Sequence, residues 1–231
     1  MTDTTAALRI EGLRFRYPGA GEDVIAIDAL SLAPGEQMLL TGGSGTGKST
    51  LLSLIAGLIE PRAGRALVAG RAMHELRGAR RDRFRGRHVG MIFQTHHLLH
   101  GFTAAENVMA ALMFSDVPKG EHRDRAESVL RHLGIDRVHA DPERLSIGQQ
   151  QRVAVARAVS CSPELVLADE PTASLDPESS AVAMDLIQRA CRECGAALLC
   201  VSHDPAMADR FERREALGDL RAGATTKAGG A

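Results

Sequence analysis

Gly42-Gly43-Ser44-Gly45-Thr46-Gly47-Lys48-Ser49 decides how this chain reads, and the residues on either side say why. Ahead of it, Gln37-Met38-Leu39-Leu40 has the apolar character of a buried strand. Behind it, the stretch from Ser49 to Ile59 puts Leu51, Leu52, Leu54, Ile55, Leu58 and Ile59 on one broad helical face, with Pro61 and Gly64 expected to stop the helix. A strand, a glycine-rich turn and a helix in that order are the context in which G-x-x-x-x-G-K-[ST] carries chemistry. The glycines let the backbone curl so that successive N–H groups face a polyphosphate, and the helix start adds its positive end to the same site. Lys48 is then placed for the β- and γ-phosphates, and the Ser49 hydroxyl for Mg²⁺.

Further along, Leu165-Val166-Leu167-Ala168 is a second buried strand, ended by Asp169-Glu170. Ala197-Leu198-Leu199-Cys200-Val201 is a third, ended by Ser202-His203-Asp204, with helical patterning from Glu178 to Cys191 between the two. Apolar strands alternating with helices predict an α/β fold, a mainly parallel sheet flanked by helices. Ligands of such sheets bind beyond the carboxyl ends of the strands, where the polar clusters fall here. Asp169 is a candidate to hold the Mg²⁺ shell, and Glu170 to polarise an attacking water. From about residue 95 to 150 the pattern changes. Helical stretches over Ala104–Met113 and Glu121–Leu133, without a convincing buried strand, predict a helical subdomain inserted into the α/β core.

Composition bounds the rest. The chain has 231 residues, 44% apolar and 25% charged, which excludes a disordered or collagen-like protein. Twenty-eight Lys and Arg against 29 Asp and Glu leave a net charge of −1, so general nucleic-acid binding is not expected. Apolar runs fall short of the roughly 20 residues that cross a bilayer, and Met1–Thr5 lacks the basic and apolar regions of a signal peptide, so a cytoplasmic location is expected. Residues 1–222 read as one domain and 223–231 as a disordered tail of small and polar residues. Nine arginines against Glu75 and Asp82 crowd Arg62–Arg87. With Phe84 as the one aromatic residue interleaved, they read as a solvated face rather than a nucleic-acid or anionic-lipid surface. Cys191-x-x-Cys194 has zinc-like spacing, but with Cys161 and Cys200 expected elsewhere on the sheet it reads as structural. His96, His97 and His100 read as interface or solvent residues rather than metal ligands.

The order of motifs resembles the ATP-binding subunit of an ABC transporter over nearly the whole chain, from about Leu8 to Asp219. Tyr17 stands where that family places an aromatic against adenine. Gln94, in Met91-Ile92-Phe93-Gln94, matches the glutamine that opens the helical insert. Leu145-Ser146-Ile147-Gly148-Gln149-Gln150-Gln151-Arg152 resembles the family's signature motif. Ser174-Leu175-Asp176, after Asp169-Glu170-Pro171-Thr172, resembles the loop that follows the second acid, and His203 falls at the switch histidine. The resemblance implies a P-loop NTPase core with an N-terminal antiparallel β subdomain. It implies ATP and Mg²⁺ as ligands: Gly42, Gly43, Ser44, Gly45, Thr46, Gly47, Lys48, Ser49 and Thr50 at the phosphates, with Ser49, Gln94 and Asp169 at the metal. Glu170, His203 and Gln94 would be the catalytic set. Ser146, Gly148 and Gln149 would reach the γ-phosphate held by a second copy of the chain, in a head-to-tail dimer.

These roles have physical grounds. Tyr17 offers a π-face to a purine. Gln94 can touch metal and water without adding charge. Ser146 is placed to cap a helix beginning near Gly148, whose N–H groups suit an anion. The signature's usual third-position glycine is Ile147 here, and its β-branched bulk predicts altered dimer affinity. The resemblance also implies a separate integral-membrane permease, docked near Gln94, which would hold the chain on the inner face of the membrane. Thr95–Val108 together with His203-Asp204-Pro205 looks most like the lipoprotein-release and macrolide-export group. A non-transport relative such as an iron–sulfur assembly ATPase is the alternative. DNA-repair types would carry a long heptad-rich insertion and translation types a second such domain, whereas a silent structural subunit would not need Glu170 and His203.

Overall fold

The computed structural model describes residues 5–173 and 175–221, so Ser174 and the tail 223–231 lie outside the described residues. In chain order, β1 (Leu8–Phe15) and β2 (Ile25–Leu32) are followed by β3 (Gln37–Thr41), α1 (Lys48–Ile55), β4 (Ala63–Val68) and β5 (Arg71–Ala72). Next come α2 (Ala79–His88), β6 (Val89–Phe93), α3 (Ala104–Leu112) and α4 (His122–His132). The chain continues through α5 (Ile147–Val159), β7 (Leu165–Asp169), α6 (Pro177–Cys194), β8 (Ala197–Ser202) and β9 (Arg213–Ala216).

One sheet, ordered β2-β1-β4-β5, is antiparallel and forms the expected β subdomain. The other, β6-β7-β8-β3-β9, is parallel at every pairing. Strands β3, β6, β7 and β8 are largely apolar because both faces are covered, whereas the edge strand β9 (Arg-Arg-Glu-Ala) is polar and only partly buried. Successive side chains point to opposite faces, so the apolar strands feed two cores. Leu39, Val166, Ala168, Leu198 and Cys200 join the helical side with Val108, Leu130, Val155 and Ile187. Met38, Leu40, Leu165, Leu167 and Leu199 join the antiparallel sheet and α1, with Ile27, Leu51 and Ile55. The parallel sheet is thereby clamped between two packed layers, which fixes the height of every strand end.

Two expectations need correction. Helix α1 stops at Ile55 instead of running to Ile59, so Pro61 and Gly64 are not its terminators. Gly57 adopts φ 66°, and a Cβ there would lie 2.0 Å from Met73 Cγ. The close approach of Met73 therefore demands glycine, and the left-handed turn it makes ends the helix and leaves Leu58 half exposed. Cys161 lies just beyond α5, not on the sheet. In the insert, α3 and α4 occupy the expected helical stretch and α5 carries it on to Val159, packing against α3, α4, α6 and β6.

Candidate functional site

Strand register brings the site together. Phe93 pairs with Asp169, Asp169 with Val201, and Thr41 with Ser202. Gln94, Glu170, His203 and Gly42 each follow directly, so all four leave the same carboxyl edge of the parallel sheet.

The loop after β3 folds as its glycines require. Gly47 has φ 102°, and a Cβ on it would meet Val24 Cγ1 at 2.8 Å. Thr46 braces the turn, its hydroxyl donating to the Gly43 carbonyl at 2.9 Å. Gly47 also caps α1 without a side chain, so the first N–H groups of the helix have no side-chain acceptor. That leaves them available to an anion. Lys48 is buried, and its Nζ donates to the carbonyls of Gly42 at 2.8 Å and Gly43 at 2.9 Å. The ammonium therefore lies across the mouth of the loop. Ser49 is exposed on the first turn of α1.

Glu170 meets this lysine from the side. Its Oε1 is 3.5 Å from Lys48 Nζ and 2.8 Å from His203 Nδ1, while its Oε2 accepts from the His203 backbone N–H at 3.3 Å. Glu170 has φ 48°, a left-handed conformation unusual for a residue with a side chain, and its N–H donates to the Val201 carbonyl at 2.9 Å. Strain of this kind is held in place by surrounding structure and gathers at functional sites. Here it turns the carboxylate out of the sheet toward Lys48. Asp169, one residue earlier, keeps Oδ1 buried without a hydrogen-bond partner. An orphaned buried carboxylate oxygen is costly. A divalent cation or its water shell at that position would satisfy it, so the donors Asp169, Ser49 and Gln94 fit Mg²⁺, which takes oxygen ligands and few carboxylates.

Tyr17 is 47% exposed, packs edge-to-face on Phe15 at 4.9 Å, and exchanges a hydrogen bond with Thr50 Oγ1 at 2.9 Å. The hydroxyl of Thr50 is thus turned to Tyr17, and Thr50 enters the site by fixing the tyrosine ring.

The signature segment forms a separate surface. Ser146 caps α5, which starts at Ile147, one residue before the expected Gly148. Ser146 Oγ accepts from the Gln149 N–H at 3.3 Å, and Gln149 Oε1 accepts from the Ser146 N–H at 3.0 Å. Gln149 is accordingly engaged in its own capping box. Ile147 is 63% exposed, has negative φ, and puts no strain on the turn; around the Cβ position of Gly148 the space is open. Among the described residues no hydrogen bond or ion pair joins 145–152 to 42–49. Asp176 caps α6, accepting from the N–H groups of Glu178 and Ser179.

Sequence reasoning passed over Gln151 and Arg157. Gln151 is buried on α5 and donates to the Pro171 carbonyl at 3.2 Å, tying the signature helix to the loop that follows Glu170. Its signal was available: Gln151, Val155 and Ala158 share a helical face, and a polar residue on an apolar face needs a partner. Arg157 grips the carbonyls of His96 at 2.7 Å and His97 at 2.6 Å, so these histidines follow α5. Burial, with the Arg157 charge beside it, holds His96 below its ordinary pKa. Cys191 and Cys194 sit on α6 and Cys200 on β8; burial, with neighbouring thiols, pushes the Cys191 thiol well above its usual range.

Comparison with known proteins agrees with this geometry. The model of the family described as ABC transporter matches residues 27–173. The lipoprotein-releasing system ATP-binding protein LolD of Chromohalobacter salexigens is 39% identical over 209 residues, covering 89% of this chain and 88% of that protein. The macrolide export ATP-binding/permease protein MacB 1 of Yersinia pestis bv. Antiqua is 40% identical, across 90% of this chain but 32% of its own length. Among solved structures, an ATP-binding cassette captured as a dimer in a post-hydrolysis state with ADP and Pi superposes with a TM-score of 0.80 at 30% identity, covering 94% of this chain and 96% of that one. The phosphate loop, the strained glutamate beside it and the outward-facing signature helix thus have a common explanation: the chain belongs to the ABC transporter family, as one of its ATP-hydrolysing cassettes.

Proposed function

We propose that this chain binds ATP with Mg²⁺ and uses its hydrolysis to drive a separate integral-membrane permease in lipoprotein release or export. The single observation that carries the catalytic part is the Lys48–Glu170–His203 chain at the sheet edge. Lys48 binds the β- and γ-phosphates together with the N–H groups of 42–50, and Tyr17 stacks on the base. Glu170 accepts the proton of the attacking water, and His203 holds that carboxylate in register while its other ring nitrogen faces the γ-phosphate. Asp169, Ser49 and Gln94 would hold Mg²⁺, which supplies charge neutralisation to the phosphate oxygens. Ser146 and Gly148 offer donors to the triphosphate of a second copy, which is why they face open space.

We assign 1–222 to one domain with 95–150 as its helical insert. No helix among the described residues is long and apolar enough to cross a membrane; on this reading the chain is held at the inner membrane face by its permease. The subgroup reading rests on the likeness to LolD and MacB, one a chain of similar length and the other carrying the matching segment in a longer protein. Affinity capture of the tagged chain from detergent-solubilised membranes of its host tests the proposal. A multi-span protein should be recovered and should raise ATP turnover. Capture of soluble iron–sulfur assembly factors in its place, with turnover independent of any membrane protein, would overturn it.

A further inference from the structure

Helix α2 carries five arginines against one aspartate, and the fold sorts them into two faces. Arg81 and Arg85 point inward. Arg81 binds the Leu76 carbonyl and Glu60, while Arg85 binds the Ala56 carbonyl and Asp82. Arg80, Arg83 and Arg87 lie at i, i+3 and i+7, hence on one outward face, with Arg77 exposed in the preceding turn. Among the described residues the side chains of Arg77, Arg80 and Arg83 make neither an ion pair nor a hydrogen bond, and Arg87 pairs only with Asp116. That pair joins the stripe to the end of α3, where Met113 is 71% and Phe114 50% exposed. Phe114 also lies against Gly86, where an added Cβ would come within 2.3 Å of Phe114 Cβ. An unneutralised arginine row and two exposed apolar side chains therefore share one surface. A cavity of about 250 Å³, lined by Met91, Phe93, His97 and Phe114 among others, runs from it along β6 toward the Gln94 edge.

We propose that this surface, which the sequence pattern alone reads as a solvated face, docks on anionic phospholipid headgroups, with Arg77, Arg80 and Arg83 on the lipid phosphates and Met113 and Phe114 dipping into the interface. This rests on the reading that the chain works at a membrane, and adds a lipid contact of its own beside the permease. Charge complementarity selects the occupant. The chain as a whole, at −1, is not drawn to an anionic surface, whereas arginines within one Debye length, about 8 Å at physiological salt, are. Guanidinium groups match phosphate oxygens in two-pronged geometry, and a basic face bordered by exposed apolar side chains is the make-up of an interfacial helix. A polynucleotide would use the arginines but leave Met113 without a role.

Co-sedimentation of the full chain with phosphatidylcholine vesicles, with and without phosphatidylglycerol, tests this. Binding should require phosphatidylglycerol and fall with added salt. Each arginine near an anionic surface contributes about 1 kcal/mol, so Arg80→Gln with Arg83→Gln should weaken partitioning about 25-fold. Met113→Ser, at a side chain mostly in solvent, should weaken it severalfold. Basal ATP hydrolysis of both variants should match wild type, which separates failure of the lipid contact from failure of the ATPase reading. Unchanged partitioning of the arginine variant would overturn the proposal. So would a duplex oligonucleotide that displaces the chain from vesicles while Met113→Ser has no effect.

Discussion

Glu170→Gln isolates the chemical step. The substitution preserves volume, and the amide oxygen still accepts from the His203 backbone N–H at the position now 3.3 Å away. What disappears is the proton acceptor and the charge facing Lys48. At 3.5 Å, two unit charges at an effective dielectric of about 20 attract by about 5 kcal/mol, before desolvation offsets most of it. Lys48 keeps its carbonyl partners at 2.8 and 2.9 Å, so its ammonium is not stranded and the fold should survive. Glu170 competes with the triphosphate for Lys48, so ATP affinity in the variant should equal or exceed wild type. Loss of a general base lowers turnover by about 10²–10⁴-fold. Steady-state phosphate release and ATP titration, run on the same preparation with Mg²⁺, check both halves. Residual turnover within about threefold of wild type would remove Glu170 from the role of base, and a fall in ATP affinity would refute the competition for Lys48.

Lys48→Ala should do the reverse, weakening ATP binding itself, because it deletes the charge at the β/γ position; an unchanged titration would contradict the phosphate-loop assignment. Thr50→Val should loosen the Tyr17 ring and weaken ATP binding, though less than Tyr17→Ala, and should weaken GTP binding to about the same extent if the ring reads the base by stacking alone; equal affinities for both variants and wild type would sever Tyr17 from the nucleotide. The Glu170→Gln chain with ATP and Mg²⁺ should dimerise in light scattering, and Ile147→Gly should tighten that dimer. A persistent monomer with both changes, without permease-stimulated hydrolysis, would end the sandwich mechanism.

Three of the five parallel strands, β3, β7 and β8, were legible because they are apolar on both faces and end in acids or polar turns; β6 and the polar edge strand β9 were not read as strands. Leu165–Asp169 and Ala197–Ser202 were found almost to the residue for that reason. The end of α1 was misplaced because the stop signal is tertiary. Gly57 looks tolerable in a helix until Met73 arrives from the turn after β5, at the edge of the antiparallel sheet. Individual site residues were readable from loop chemistry and motif order, whereas their couplings were not. Nothing in a linear pattern places Glu170 against Lys48 or turns Thr50 toward Tyr17, since the first contact depends on strand register and the strained φ at Glu170, and the second on how the chain after β1 lies against α1. Nor could composition sort the arginines of α2, whose inner and outer rows differ only by which neighbours the helix meets.

The two functional surfaces of the chain differ in a way that bears on mechanism. The phosphate loop is a closed arrangement in which Lys48 and Glu170 already hold each other, so the Lys48 charge has partners before nucleotide arrives, while the first N–H groups of α1 and Asp169 Oδ1 still lack side-chain partners. The signature surface is open: Ser146 and Gln149 satisfy one another through the capping box, while the first turn of α5 projects Ile147 into solvent. A surface that is internally satisfied does not need its partner in order to fold, so the cassette can be stable alone and pair on demand. Gln151 gives the pairing a route inward, because a shift of α5 against a second copy pulls on the Pro171 carbonyl, and that loop begins at the strained Glu170. On the proposed function, closure at the signature would align Glu170 in the same motion and keep hydrolysis low until two triphosphates are enclosed.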